Sequence, residues 1–269
     1  MASFSVVSNI ASANAQTNLQ ATNVSLNKAL SRLSSGFRIN QSGDDAAGLA
    51  VANQYRNDVA IMNQGVRNAN DGLSKLQIKD SALANIATVL DRMATLATQA
   101  ASSSSGVDIS KLSAEYGTLI SEIDREAAVA GMTANASFSV FVSSESTVGN
   151  GAVSGSLTGV EVADLGITQL TFANVSEAQT VLSQIENAIS NLGTVQNTIG
   201  TLQNRLTFAI SLAQSQIVNT QAAESRIRDA NIAEESASMT RYNILSQSGI
   251  AALAQANQTS SSVLALLRG

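Results

Sequence analysis

The side chains available for chemistry in this sequence are carboxylates and cations. There is no His and no Cys, which excludes imidazole bases, thiolate nucleophiles, Cys-based metal sites and disulfides. Two adjacent acid pairs stand out: Asp44 with Asp45 in SGDDAAGLA, and Glu234 with Glu235 in NIAEES. Such a pair can hold a hard cation or divide acid and base roles. Their setting favours another use. Asp44 and Asp45 sit just before AAGLAVANQY, where an N-cap and first-turn acids belong. The glycines around them have neither the Lys nor the preceding strand of a phosphate loop. Arg226 and Arg228, beside Glu224, Asp229 and Glu234, read as a solvated helix face, since one basic pair among acids is a poor nucleic-acid footprint. On this reading there is no catalytic residue, no cofactor and no metal site, and nucleic acid is not a partner.

The elements that carry these groups differ in charge along the chain. The net charge of −5 hides a partition. Residues 1–43 contain no acid and only Lys28, Arg32 and Arg38; residues 236–269 contain no acid and only Arg241 and Arg268. All 20 acids therefore lie between Asp44 and Glu235, and with the other 10 basic residues they give that interior a formal charge of −10. A weakly charged segment is either a buried element or a disordered tail, and periodicity separates the two. Leu19, Leu26, Leu30, Leu33 and Phe37 recur at steps of 7, 4, 3 and 4. Ile250, Leu253, Asn257, Ser260, Leu264 and Leu267 recur at steps of 3 and 4. These are coiled-coil seams with polar interruptions.

The interior is helical too. Leu83, Ile86, Leu90, Met93 and Leu96 form one amphipathic stripe, and Ile109, Leu112, Tyr116, Leu119 and Ile123 another, with SSSSG at 102–106 as the loop between them and Asp108 as N-cap. A third stripe runs from Leu182 to Ile217, opened by a capping box of Ser176 with Gln179. Gly193 and Gly200 are its weak points. Between them, ASFSVFVSSESTVGNGAVSGSLTGVEVADLGITQLTF alternates at Phe138, Val140 and Val142 and carries a GNG turn at 149–151, which predicts short strands and turns packed on the helices. Proline is absent and aromatics make up only 3%, so helices run without enforced breaks around a core of Ala, Leu, Ile and Val. The fold expected is mainly α: a long-helix bundle or rod with terminal coiled-coil helices and a small β-hairpin region. Its parts are an N-terminal arm (1–43) pairing with a C-terminal arm (232–269), rod segments 44–135 and 176–231, and a β/turn region 136–175.

The arms have neither the Lys-rich polar face nor the Trp anchors of membrane-surface helices, and no window is apolar enough to span a bilayer. MASFSVVSNIASANAQTNL lacks the basic start and continuous apolar run of a cleaved secretory signal. Other subunits are the natural cover for the apolar arms.

The stretch NLQATNVSLNKALSRLSSGFRINQSGDDAAGLAVANQYRNDV resembles the N-terminal signature of bacterial flagellin, as does NANDGLSKLQIKDSALANIATVLDRM. GTVQNTIGTLQNRL, SRIRDANIAEESASMTRYNILSQSGIAALAQANQ and VLALLR resemble the flagellin C-terminal region, in the right order. The resemblance covers roughly residues 1–130 and 180–269. It implies a structural, non-enzymatic subunit of the flagellar filament, with the terminal helices lining its inner tube, the long helices around them, and 136–175 as a short outward β part. Leu19, Leu26, Leu30, Leu33, Phe37, Ile250, Leu253, Asn257, Leu264 and Leu267 then form the assembly interface. It further implies export through the flagellar type III channel to the extracellular flagellum, a cytoplasmic export chaperone on the C-terminal arm, and filament cap and junction proteins as partners. Matching RMATLATQ and SAEYG to the family motif read by the host innate immune receptor gives Arg92, Leu96 and Glu115 as its contact, with subunit packing the preferred role for these residues. Two alternatives remain at this point: a hook-filament junction protein, distinguished by its trace abundance, and a secreted membrane-active translocator, distinguished by liposome leakage. A catalytic insert, such as a zinc peptidase, is opposed by the missing His and the short central segment.

Overall fold

The computed structural model describes residues 9–102, 108–143 and 151–268, with side chains through Thr259. The elements run α1 (Ile10–Ser35), α2 (Ala46–Ala101), α3 (Ile109–Ala130), β1 (Ala136–Phe141), β2 (Ala152–Leu157), α4 (Val175–Arg228) and α5 (Ile232–Arg268). With no proline and a sustained apolar heptad, α2 continues for 56 residues and α4 for 54, each about 80 Å at 1.5 Å per residue. Gly193 and Gly200 lie within α4 without interrupting it. The chain divides into two compact units, one comprising Met1–Asn57 and Thr220–Gly269, the other Asp58–Asn219.

The Asp58–Asn219 unit has a continuous core. α2 supplies Leu76, Leu83, Ile86, Leu90 and Met93; α3 supplies Tyr116, Ile123 and Ala127; α4 supplies Val181, Ile185, Ala188, Leu192, Val195, Ile199, Leu202 and Leu206. The alternating steps of 3 and 4 along α4 put one face inward. Ile189 falls off that face and is exposed, its place taken by Ala188. α2 and α3 run antiparallel. Arg92 pairs with Glu115, and farther along Lys79 Nζ donates to the carbonyls of Ala130 and Gly131 at 2.8 and 2.9 Å. Burial holds the Lys79 ammonium below its ordinary pKa.

β1 and β2 pair antiparallel from Ala136 opposite Leu157 to Phe141 opposite Ala152. The backbone just past β1 lies directly on α2: a Cβ at Gly65 would collide with the Val142 carbonyl oxygen. The GNG turn and the SSSSG loop fall largely outside the described residues.

Two local expectations are corrected. From Thr158 to Asn174 no strand forms. The backbone there is held by side chains: Val162 N–H donates to Asp124 Oδ1, Phe172 N–H to Ser113 Oγ, and Thr168 and Gln169 N–H to Gln184 Oε1. Buried Val160, Leu165, Ile167 and Phe172 fasten the segment to the core. The capping box of α4 is not Ser176 with Gln179. Asn174 Oδ1 accepts from Glu177 N–H at 2.9 Å and Glu177 Oε2 accepts from Ala173 N–H at 2.7 Å, so the reciprocal pair sits two residues earlier. Asp108 is the N-cap of α3 as expected, its carbonyl accepting from the Lys111 and Leu112 N–H groups, but its side chain makes no cap bond and its carboxylate pairs with Lys111 at 3.2 Å.

Candidate functional site in the paired terminal helices

In the terminal unit α1 and α5 pack on one another in antiparallel fashion. Asn9 Nδ2 donates to the Ala256 carbonyl at 2.9 Å, Ser246 Oγ to Asn23 Oδ1 at 3.3 Å, and Arg32 Nη1 to Glu235 Oε1 at 3.0 Å. Between these, Leu19 Cδ1 lies 3.1 Å from where a Cβ on Gly249 would stand. The half-buried positions on α1 include Ser12, Ala15, Leu19, Thr22, Leu26 and Leu33, with Ala29 buried; on α5 they include Met239, Tyr242, Ser246, Gly249, Leu253 and Ala256. Both sets step by 3 and 4. The seam is a heptad built mostly of small residues.

The residues singled out from the sequence therefore separate. Leu19, Leu26, Leu33 and Leu253 lie on the seam. Leu30 at 44% and Ile250 at 57% exposure, and Asn257, face away from it. Phe37 is half-buried beneath Arg228, whose guanidinium carbon stands 4.1 Å from the ring centroid. Arg228 is thus packed on an aromatic ring, not on a solvated face as its sequence setting suggests. The side chains of Leu264 and Leu267 are outside the described residues. Apolar side chains remain exposed on the outside of the pair, Ile10, Val24 and Leu30 on α1 and Ile244, Leu245 and Ile250 on α5, set among exposed Asn, Gln and Ser. Ala29, Gly249 and the Arg32 to Glu235 pair escaped the sequence reading. A heptad count that scored Ala, Gly and Ser as seam residues would have found the first two.

The acid pair at the start of α2 works in structure. Asp45 Oδ1 accepts from Gly48 N–H at 2.8 Å, an N-cap bond. Asp44 Oδ2 accepts from the N–H groups of Asn40 and Gln41, each at 3.2 Å, and its other oxygen meets Lys28 Nζ at 2.6 Å. The Lys28 contact, reinforced by those amides, brings the Asp44 pKa down to about 2. Among the described residues no group of three or more Asp or Glu is gathered as a metal site, and no helix is long and apolar enough to cross a membrane.

In the other unit Arg92 Nε and Nη2 both donate to Glu115 Oε1, at 3.0 and 2.6 Å, in a pair open to solvent. Leu96 is only 1% exposed and belongs to the core. The three candidate receptor residues are therefore close in sequence pattern but unlike in accessibility.

Comparison with known proteins gives a consistent result. The profile of the bacterial flagellin N-terminal helical region matches residues 6–134, and that of the bacterial flagellin C-terminal helical region residues 182–267. A flagellin of Halalkalibacterium halodurans is 34% identical, over 97% of this chain and 98% of its own length. A flagellar filament 33 kDa core protein of Treponema phagedenis is also 34% identical, over 94% and 96%. A crystal structure of Bacillus cereus flagellin matches with a TM-score of 0.47 at 27% identity, covering 59% of this chain and 94% of that one.

Proposed function

The chain belongs to the bacterial flagellin family, and from that premise we propose how it works. It is a structural subunit that polymerises into the bacterial flagellar filament, and the faces of α1 and α5 left open by its own fold are buried between copies. The observation that carries this is the exposure of Ile10, Val24, Leu30, Ile244, Leu245 and Ile250 within the stretches 1–43 and 236–269, which contain no acid. Apolar surface of this kind gains about 25 cal/mol per Å² when a neighbour covers it, and without acids no carboxylate desolvation opposes that cover. The family is structural, and no catalytic step is assigned to the chain.

The finer parts of this reading follow from family membership. The subunit is exported to the extracellular flagellum. A cytoplasmic chaperone shields the C-terminal arm before export, and cap and junction proteins meet the same terminal helices at the filament ends. Arg92 and Glu115 serve packing between subunits, and any contact with a host innate immune receptor is incidental to that role.

Deleting residues 1–30 or 245–269 tests the assignment. Each truncated chain is expected to stay a soluble helical monomer that does not elongate filament seeds. Filaments of normal form from both would refute it.

A further inference from the structure

At the Glu235 end of the α1 and α5 pair, two segments far apart in sequence are joined by their backbones. α1 stops at Gly36, whose φ of +75° is strained for any residue with a Cβ. That turn lays Phe37 and Arg38 along the end of α4, where Phe37 and Asp229 form an antiparallel bridge. Arg38 N–H donates to the Arg228 carbonyl at 2.6 Å and Ala230 N–H to the Gly36 carbonyl at 2.9 Å. Arg38 Nη2 adds a bond to the Ile227 carbonyl at 2.7 Å. The Arg228 guanidinium covers this bridge by stacking on the Phe37 ring. Glu224 stands 3.9 Å from Arg228 Nη1, too far for a hydrogen bond, and Arg228 Nε is buried without a hydrogen-bond partner. The aromatic ring is therefore its principal contact.

The seam beyond the clasp discriminates poorly between registers. On α1 the large seam positions Leu19, Leu26 and Leu33 and the small ones Ala15, Thr22 and Ala29 each recur every seven residues, so a slide of one heptad largely restores the α1 surface that α5 meets. The Asn9 bond goes to a backbone carbonyl, which any register supplies. Register must come from side chains that cannot be exchanged for their neighbours. The Arg32 to Glu235 pair and the Phe37 to Arg228 stack at one end are of that kind, joined farther along by the solvent-exposed Ser246 to Asn23 bond at 3.3 Å.

We propose that Phe37 and Arg228 are positioning residues for assembly: their stack sets the register in which α5 starts against α1, and so aligns the exposed apolar side chains that a second copy must meet. This rests on the filament-subunit reading. Because the chain has no Cys, Asn23→Cys with Ser246→Cys places a unique reporter where these side chains touch. In the full-length chain, Arg228→Met and Phe37→Leu are each expected to lower the yield of that disulfide. Each is also expected to slow elongation of filament seeds by about five- to thirtyfold, the equilibrium equivalent of a desolvated cation–π contact. The double variant should be no slower than either single one, since both remove the same contact, and Arg228→Lys should recover part of the rate. The thermal transition of the Asp58–Asn219 unit should not move. Native elongation by Arg228→Met, an unchanged disulfide yield, or additive losses in the double variant would each overturn the proposal. Failure of the wild-type chain itself to elongate seeds would instead overturn the filament reading beneath it.

Discussion

The two units share one periodicity and differ in the size of what sits on it. In the Asp58–Asn219 unit the heptad positions carry Leu, Ile, Val, Met and Tyr, which close over one another. In the terminal unit the buried apolar side chains, among the described residues, are Ala29, Ile39 and Ala52, and only Ile39 is larger than alanine. The period of 3.5 locates a helix in either case. Whether that helix stabilises its own chain depends on the volume placed at the seam. The terminal helices mix small residues with leucines on the seam and leave Ile10, Val24, Ile244, Leu245 and Ile250 exposed, which suits elements completed by neighbours.

The largest effect that follows is a contrast between one substitution in each unit. Tyr116 is fully buried and meets Phe172 edge-on at 5.3 Å. Tyr116→Ala is expected to cost about 3–5 kcal/mol in urea unfolding, the range for aromatic-to-alanine core changes. Ile250→Ala, at an exposed position, should change monomer stability by no more than about 0.5 kcal/mol while raising the critical concentration for polymerisation. Comparable unfolding losses would erase the distinction between the units. Tyr116→Phe sharpens it further. The hydroxyl makes one bond, to the Gln169 carbonyl at 3.3 Å, and its loss should cost only about 0.5–1.5 kcal/mol. Burial pushes the Tyr116 pKa up to about 12, so in the wild-type chain its phenolate absorbance should appear only near that pH.

A smaller effect concerns glycines. A Cβ at Gly65 would meet the backbone of Val142, and Val142, buried in the core, cannot retreat cheaply. Gly65→Ala should therefore destabilise the Asp58–Asn219 unit by about 1–3 kcal/mol, as overpacking does. Gly249 in the terminal unit faces only the tip of Leu19, at 3.1 Å, and Leu19 is half-buried and free to turn. There the gain in helix propensity, up to about 1 kcal/mol, should prevail, and circular dichroism of the monomer should show helicity retained or increased. A loss at Gly249 equal to that at Gly65 would mean that the terminal seam is as tightly packed as the core.

Much of this was legible because heptad spacing survives without knowledge of partners: Leu83, Ile86, Leu90 and Met93 are buried where their steps placed them. Residues read by charge alone fared worse. Arg228 looked solvated because its neighbours in sequence are acidic, whereas the ring that covers it comes from Phe37, distant in the chain. Residues 158–174 belong to the Ser-, Gly- and Val-rich stretch that reads as short strands and turns, yet their backbone is held by Asp124, Ser113 and Gln184 from the flanking helices. The Asn174 cap was hidden because Ser176 and Gln179 satisfy the same local pattern. In the terminal unit the seam was half legible, since Leu19 and Leu26 marked it while its small residues gave no hydrophobic signal.

The smallest effect expected concerns the polar corner between α1 and α2, where a charge does work that apolar volume does in the other unit. Asp44 is held as a carboxylate by Lys28 and by the Asn40 and Gln41 amides, with its pKa lowered from 3.8 to about 2. The unfolded chain therefore takes up this proton before the folded one does. The stabilisation is complete above about pH 4 and drains away as the pH falls through about 2. Lys28 is half exposed, so solvent screens the pair and the contribution should stay below about 1 kcal/mol. Protection of the Asn40 and Gln41 amides from hydrogen exchange, taken relative to the unfolded chain at the same pH, should fall across that window in the wild-type chain and stay constant in Asp44→Asn. A wild-type profile that is flat between pH 4 and 2 would show that the corner is held by the α1 and α5 seam and not by this carboxylate.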